Sequence, residues 1–267
     1  MGEKLVRDIV ILVLIFGAIW AGFAYFSKDW KAPSIEISRE QEQKLGDIMA
    51  KKVVLTEWEN ITAQYPKVDS AYRIIYGRLL NQVPLPAYNY RFYILRDTTI
   101  NAFTIAGGHI FVFEGLIKFC ESPEELAAVL AHEIGHAEKK HITKKLAKEL
   151  GIEAVGTILG GGDDNVIKEA GKLVLSKRFD REYEKQADHF AIDLLEKAGI
   201  SPYKLASFFR KLNEAGLAYD DDLEFMMTHP HNDSRIKDIL GHQPAAGFKE
   251  KPFVMDWKDI QQSLNNK

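Results

Sequence analysis

The chain has 267 residues, of which 46% are hydrophobic and 27% are charged. This is the composition of a globular protein that is large enough to bury an enzyme-sized core. Its 35 basic and 38 acidic residues give a formal net charge of -3 without a block of like charge, so we expect no nucleic-acid partner. Cys120 is the single cysteine of this sequence, which leaves His, Asp and Glu as the ligands of any metal site.

The first distinctive feature is an apolar segment over residues 9–26. It has 18 residues without a charge or an amide, and as a helix it would span roughly 27 Å, close to the hydrocarbon core of a bilayer. Trp20 and Tyr25 lie in its second half, as interfacial aromatic residues often do. The segment therefore predicts one transmembrane helix that contacts the lipid bilayer; a buried core helix and a cleaved signal peptide are the alternatives.

The orientation of this segment is not decided by its flanking charges. Lys4 and Arg7 precede it, and Lys28 and Lys31 follow it. Because basic residues mark the cytoplasmic side of a membrane segment, an even count on both sides selects neither topology.

Residues 38–117 predict a mixture of helix and strand. Ser38 precedes a charged run with apolar residues at helical spacing, which predicts an amphipathic helix. Alternation and aromatic content predict a strand over residues 90–97. Residues 101–117 form two short β-type runs separated by Gly107 and Gly108, which predicts a hairpin because such turns require positive φ.

From residue 122 onward the pattern is helical. Ser122, Pro123 and Glu125 give three independent signals for the start of a helix. The Gly-rich residues 151–165 predict a loop, and residues 180–199 predict a second long helix.

The first of these helices carries the pattern His-Glu-x-x-His. His132 and His136 are four residues apart, about 40° around a helix axis, so both can bind one ion. Glu133 lies about 100° from His132, off the metal but within reach of a metal-activated water as general base. The competing interpretation is a solvated histidine pair on an ordinary helix.

A third ligand is needed to complete such a site. His141 is rejected as a ligand because a continuous helix would turn it away from the ion. Glu184 and Asp188 are four residues apart on the second helix, so one can bind the metal and the other can accept a ring N–H of a ligand histidine. We assign Glu184 as the ligand and Asp188 as the histidine's partner; Glu182, on another face, is assigned to solvent.

Two histidines, one glutamate and a water form the open zinc arrangement of peptide hydrolysis. His229, His231 and Arg235 are candidate donors to the oxyanion of the transition state, or residues of an ordinary helix-start loop. An exposed strand of the hairpin, over residues 101–106 or 109–113, is a candidate for binding an extended peptide; an ordinary buried hairpin is the alternative.

Four ordered motifs together resemble the Ste-type/HtpX-like family of zinc metallopeptidases, in its single-anchor branch of BepA-like and Oma-like proteins. They are His132-Glu133-x-Gly135-His136, then Arg181-x-x-Glu184-x-x-Ala187-Asp188, the upstream Asn101-Ala102-Phe103 with Gly107-Gly108, and the later Thr228-His229-Pro230 with Arg235-Ile236. The likeness covers roughly residues 38 to 242.

The resemblance implies a gluzincin endopeptidase that binds one zinc ion per chain through His132, His136 and Glu184. It implies Glu133 as general base, Asp188 as the partner of a ligand, and His229 as either an additional zinc ligand at rest or a donor to the oxyanion. The implied fold is α+β and mainly helical, a zincin-like domain with a small antiparallel sheet beside the active-site helix.

The sequence and the resemblance together predict three segments: an N-terminal tail and membrane anchor over residues 1–30, a zinc metallopeptidase domain over residues 31–242 and a C-terminal tail over residues 243–267. The expected function is hydrolysis of misfolded or damaged envelope and membrane proteins, with the domain in the periplasm. A membrane-tethered, chaperone-like binding module with a structural zinc is the alternative.

Overall fold

A computed structural model of the chain describes residues 2–27, 37–176, 178–214, 229 and 233–265. The chain divides into two compact units, residues 1–36 and residues 37–267.

The described residues of the first unit form the helix α1 (Gly2–Ser27). Several of its apolar side chains are exposed: Ile9, Ile11, Leu12, Val13, Ile15, Phe16, Ile19 and Trp20. Among the helices that the structure describes, none combines the length and the apolar character required to cross a membrane. The transmembrane helix predicted over residues 9–26 is therefore not confirmed.

The second unit, in the part that the structure describes, is mainly helical with one small sheet. Its helices are α2 (Arg39–Met49), α3 (Leu55–Glu57), α4 (Pro66–Leu80), α5 (Glu114–Phe119), α6 (Pro123–Glu138), α7 (His141–Leu150), α8 (Ile152–Leu159), α9 (Asp164–Ser176), α10 (Arg181–Lys197), α11 (Tyr203–Glu214), α12 (Asp233–Gly241) and α13 (Trp257–Ser263). Its strands are β1 (Arg91–Leu95), β2 (Ala102–Ile105) and β3 (His109–Phe113). The helices predicted after Ser38 and Ser122 and within residues 180–199 are confirmed.

The three strands form a mixed sheet in the order β1-β3-β2. The predicted hairpin is confirmed: β2 and β3 are antiparallel, and the turn between them has φ of 73° at Gly107 and 75° at Gly108. β1 pairs with β3 in parallel, so the prediction of a purely antiparallel sheet is wrong. Because β3 lies between two strands, residues 109–113 offer no free edge, and β2 is the edge strand of the hairpin.

The prediction of a loop over the Gly-rich residues 151–165 is also corrected by the structure. Residues 152–159 form α8 rather than a loop. Val155 and Ile158 are buried in the core, which gives this helix an apolar face despite the glycine at its centre, Gly156.

The alternation of side chains along the sheet separates two hydrophobic clusters. Ile110 and Val112 of β3 face a cluster that includes residues of α4, α6, α10 and α11. Phe111 and Phe113 face a cluster built with α2, α8 and α9. Trp257, in the predicted C-terminal tail, is buried in the first cluster and donates a hydrogen bond from its indole N–H to the carbonyl of Cys120.

The hairpin turn is pressed against α2. A Cβ added at Gly46 of α2 would lie 1.9 Å from the carbonyl oxygen of Ala106, and one added at Gly107 would lie 2.6 Å from the carbonyl oxygen of Glu42. The two backbones therefore touch, and α2 fixes the position of the turn and of β2.

We expect Gly46→Ala to destabilise the protein by about 2 kcal/mol, because the clash with backbone atoms exceeds the gain in helix propensity. Urea unfolding followed by circular dichroism measures the change. The matched control is Gly77→Ala in the interior of α4, where an added Cβ meets nothing within 4 Å; this substitution should stabilise by roughly 0.5–1 kcal/mol. Equal effects of the two substitutions would contradict the close contact.

Candidate metal centre

The helix α6 carries the His-Glu-x-x-His pattern through the interior of the second unit. Ser122 caps it by accepting a hydrogen bond from the backbone N–H of Glu125, and Pro123 occupies its first turn. His132, Glu133 and His136 are each 0% exposed. The local sequence therefore determines where the helix begins. Because the helix is buried on all sides, its polar side chains must find their partners among one another rather than in solvent.

The crossing of α6 and α10 brings the two halves of the site together. A Cβ added at Gly135 would lie 3.0 Å from the carbonyl oxygen of Ala187 and 3.1 Å from its Cα. The backbones approach this closely because both positions lack a large side chain. Glu184 and Asp188, on either side of Ala187, consequently face His132 and His136.

Four side chains converge on one point. One donor atom from each of His132, His136, Glu184 and His229 lies within 4.8 Å of all the others. The Nε2 atoms of His132 and His136 are 3.1 Å apart. Oε1 of Glu184 is 3.5 Å from His136 Nε2 and 3.0 Å from His229 Nδ1.

The donor set fits a zinc ion. Imidazole nitrogen and carboxylate oxygen are the ligands of catalytic zinc, and their number here suits tetrahedral coordination. All four side chains are buried. A cation bound between them would stabilise the buried negative charge of the carboxylate. The structure thus brings together the three predicted ligands and, beside them, His229, which the resemblance implied as an additional ligand or an oxyanion donor.

Glu133 lies beside this group rather than in it. Its Oε1 is 3.5 Å from Nε2 of His229, and both side chains are fully buried. Burial raises the pKa of Glu133, and the positive charge available on His229 and His132 only partly opposes this effect. A carboxylate in this state is suited to taking up a proton.

Asp188 and Arg235 connect the metal centre to α12. Oδ1 of Asp188 is 3.0 Å from Nδ1 of His132, and Arg235 donates two hydrogen bonds of 2.7 Å to the same carboxylate. Nη1 of Arg235 is also 2.7 Å from Oε2 of Glu184. Burial acts to raise the pKa of Asp188, but Arg235 and His132 outweigh it and hold the pKa below its ordinary value. These contacts direct the guanidinium of Arg235 towards the two acids.

His141 has a position that the sequence did not predict. It lies outside the donor group, but its Nδ1 is 3.1 Å from Nδ1 of His136, so the expectation that it points away is wrong. That expectation assumed a continuous helix, whereas α6 ends at Glu138 and Lys140 adopts a φ of 58°. Burial lowers the pKa of His141 to about 4, which keeps this ring neutral at physiological pH.

The predicted peptide-binding residues lie on and around the edge strand β2, which contacts α6. Asn101 precedes the strand, and the side chains of Ala102 and Phe103 are buried. Phe103 stacks on Phe111 of β3 with ring centroids 5.1 Å apart. Gly107 and Gly108 form the turn against α2.

Part of the predicted oxyanion segment lies outside the described residues. Thr228, Pro230 and His231 belong to this part, whereas His229 and Arg235 are described.

Comparisons with known proteins agree with this geometry. Residues 72–243 match the model of Peptidase family M48. The chain is 26% identical to Mitochondrial metalloendopeptidase OMA1 of Schizosaccharomyces pombe, over 92% of this chain and 79% of that protein. It is 32% identical to Metalloprotease LoiP of Escherichia coli, over 65% of this chain and 68% of the relative.

A third relative is the Beta-barrel assembly-enhancing protease of Yersinia pestis, which is 26% identical over 76% of this chain. The chain spans 44% of the length of that relative. All four converging residues lie within the range that the family model matches.

We expect Asp188→Asn to weaken zinc binding by about 10- to 100-fold, because loss of the partner of a ligand histidine releases the ring. Competition with a chromogenic chelator measures the affinity. The matched control is Asp193→Asn on the exposed side of the same helix, which should bind zinc as the wild type does. Wild-type affinity in Asp188→Asn would refute the role of this carboxylate.

Proposed function

This chain belongs to peptidase family M48 and is a zinc metalloendopeptidase, and we propose that it hydrolyses misfolded or damaged proteins of the cell envelope or membrane. The observation that carries the proposal is the buried convergence of His132, His136 and Glu184, with Glu133 beside them. The names of the relatives, a metalloendopeptidase and a protease that enhances β-barrel assembly, support a substrate that is itself a protein.

In the proposed mechanism, His132, His136 and Glu184 would hold the metal, the two histidines through their Nε2 atoms and the glutamate through its carboxylate. A bound zinc ion supplies Lewis acidity, which polarises a peptide carbonyl and makes water a stronger nucleophile. Glu133 accepts a proton from the attacking water and delivers it to the nitrogen of the leaving amine. Its raised pKa favours the first of these steps, because a carboxylate whose pKa is raised by burial is a stronger base.

We assign His229 to the fourth position of the donor group. The assignment is supported by its Nδ1, which is 3.4 Å from Nε2 of His132 and 3.0 Å from Oε1 of Glu184. Because the ring of His229 fills this part of the site, substrate binding there would require the ring to move. The displaced imidazole then becomes available as a hydrogen-bond donor to the oxyanion.

Arg235 has a different proposed role from the one expected from its motif. Its hydrogen bonds to Asp188 and its ion pair with Glu184 support a positioning role. By binding the carboxylate of Glu184, Arg235 positions one metal ligand directly. By binding the carboxylate of Asp188, it positions a second ligand, His132, indirectly.

We further propose that substrate binds in extended form along the free edge of β2, beside residues 101–103. The side chains of Ala102 and Phe103 are buried, so recognition would use main-chain hydrogen bonds with little regard for sequence. Such recognition suits an enzyme whose substrates are unfolded segments of many different proteins.

We expect Glu133→Gln to retain one zinc per chain but to lower cleavage of casein by about 10²- to 10⁴-fold, the usual contribution of a general base. Metal analysis and a fluorescent casein assay give the two readouts. The control is Glu153→Gln, an exposed glutamate of α8, with wild-type activity expected. A Glu133→Gln variant that cleaves normally would rule out this mechanism, and a zinc-loaded wild type without turnover that binds unfolded chains would favour the chaperone-like alternative.

We propose that residues 9–26 attach the chain to a lipid bilayer and that the catalytic domain, residues 31–242, faces the periplasm. The exposed apolar side chains of α1 support the attachment. The orientation rests on the likeness to the single-anchor branch of the family.

We expect the full chain to remain in the membrane pellet after alkaline carbonate extraction, and the double substitution Leu12→Lys with Phe16→Lys to release it, because charges oppose burial in lipid. The control is Leu240→Lys, which changes an exposed leucine of α12 and should leave the pellet fraction unchanged. Recovery of the wild type in the soluble fraction would contradict the attachment. Digestion of the catalytic domain by protease in intact spheroplasts tests the orientation.

A further inference from the structure

His141 is a buried histidine that contacts the metal centre without belonging to its donor group. Its Nδ1 is 3.1 Å from Nδ1 of His136, and its Nε2 is 3.1 Å from Oε1 of Gln186. Its ring stacks on Tyr183 with centroids 4.4 Å apart and an interplanar angle of 10°. The ring is therefore held at both nitrogens and on one face.

We propose that His141 is a positioning residue of the metal centre, which accepts the Nδ1–H of His136 and so fixes the tautomer and ring orientation of that ligand. This inference rests on the proposed zinc site. A ligand nitrogen must be unprotonated, and Nε2 of His136 is the atom that faces the other donors. The proton of neutral His136 is consequently on Nδ1, whose partner is His141.

Gln186 determines which nitrogen of His141 is free to accept. Two Nδ1 atoms at 3.1 Å form a hydrogen bond only if one of them lacks a proton, so the proton of His141 must be on Nε2. Nε2 faces the amide oxygen of Gln186, which accepts it. The amide nitrogen of Gln186 in turn donates a 2.9 Å hydrogen bond to Oε1 of Glu182, and this bond selects the orientation of the amide.

The two ligand histidines of α6 thus have different partners. His132 faces a carboxylate, Asp188, whereas His136 faces a neutral imidazole. An imidazole is a weaker acceptor than a carboxylate, so His141 orients its ligand without adding negative charge to a region that already contains several acids. The hydrogen bonds that link Glu182, Gln186 and His141 thus connect the surface of α10 to the ligand His136 and fix the orientation of its ring.

The experiment measures the affinity of the full-length protein for Zn²⁺ alone, by competition with a chromogenic chelator. His141→Phe keeps a ring against Tyr183 but removes the acceptor, and its affinity should fall by about 10- to 100-fold. His141→Asn loses the ring but places an amide oxygen near the position of Nδ1, and its affinity should stay close to that of the wild type. A residue that only fills space would give the opposite ranking, which would overturn the proposal.

Two further measurements keep the test independent of folding defects. Gln186→Leu changes a partly exposed side chain and should also weaken zinc binding, whereas His189→Phe, at an exposed histidine of the same helix, should not. Nitrogen-15 NMR of histidine-labelled, zinc-loaded protein should show His136 protonated at Nδ1 and His141 at Nε2. A proton on Nδ1 of His141 would refute the inference, while a wild type that binds no zinc would refute the proposed function itself.

Discussion

The close crossing of α6 and α10 is the constraint on which the metal centre depends. Gly135 on one helix and Ala187 on the other allow backbone contact, with only 3.0 Å between an added Cβ and the carbonyl oxygen of Ala187. A larger side chain at either position would separate the helices. Since carboxylate and imidazole must both lie about 2 Å from a shared zinc ion, even a small separation of the helices would remove Glu184 from the histidine pair.

The histidine pair, the acid pair and the hairpin were accessible to sequence reasoning because each depends on local geometry. His132 with His136, and Glu184 with Asp188, share a helix face through their spacing alone. The cap at Ser122 and the turn at Gly107 and Gly108 likewise follow from neighbouring residues. Their three-dimensional meeting does not follow from spacing: it was inferred from the need for a third ligand, and the resemblance to a family supported that inference.

The features that sequence reasoning missed depend on distant contacts or on a break in regular structure. One such feature is the parallel pairing of β1 with β3, because the order of strands within a sheet cannot be read from the order of strands along the sequence. The helix α8 forms because Val155 and Ile158 find a core to pack against, which overrides the weak propensity of a glycine-rich segment. The ring of His141 contacts His136 because Lys140 adopts a left-handed backbone conformation, which changes the direction of the chain between the two helices.

The charges around the centre explain both its need for a metal and the separate roles of its acids. Glu133, Glu184 and Asp188 are all buried, and the guanidinium of Arg235 contacts two of them. Uncompensated negative charge in a buried site is costly, so a divalent cation offsets the excess. His229 and Arg235 overcome the effect of burial and hold the pKa of Glu184 well below its usual value, whereas burial dominates at Glu133 and raises its pKa. The ligand therefore stays ionised while its neighbour can exchange a proton, the division of labour that peptide hydrolysis requires.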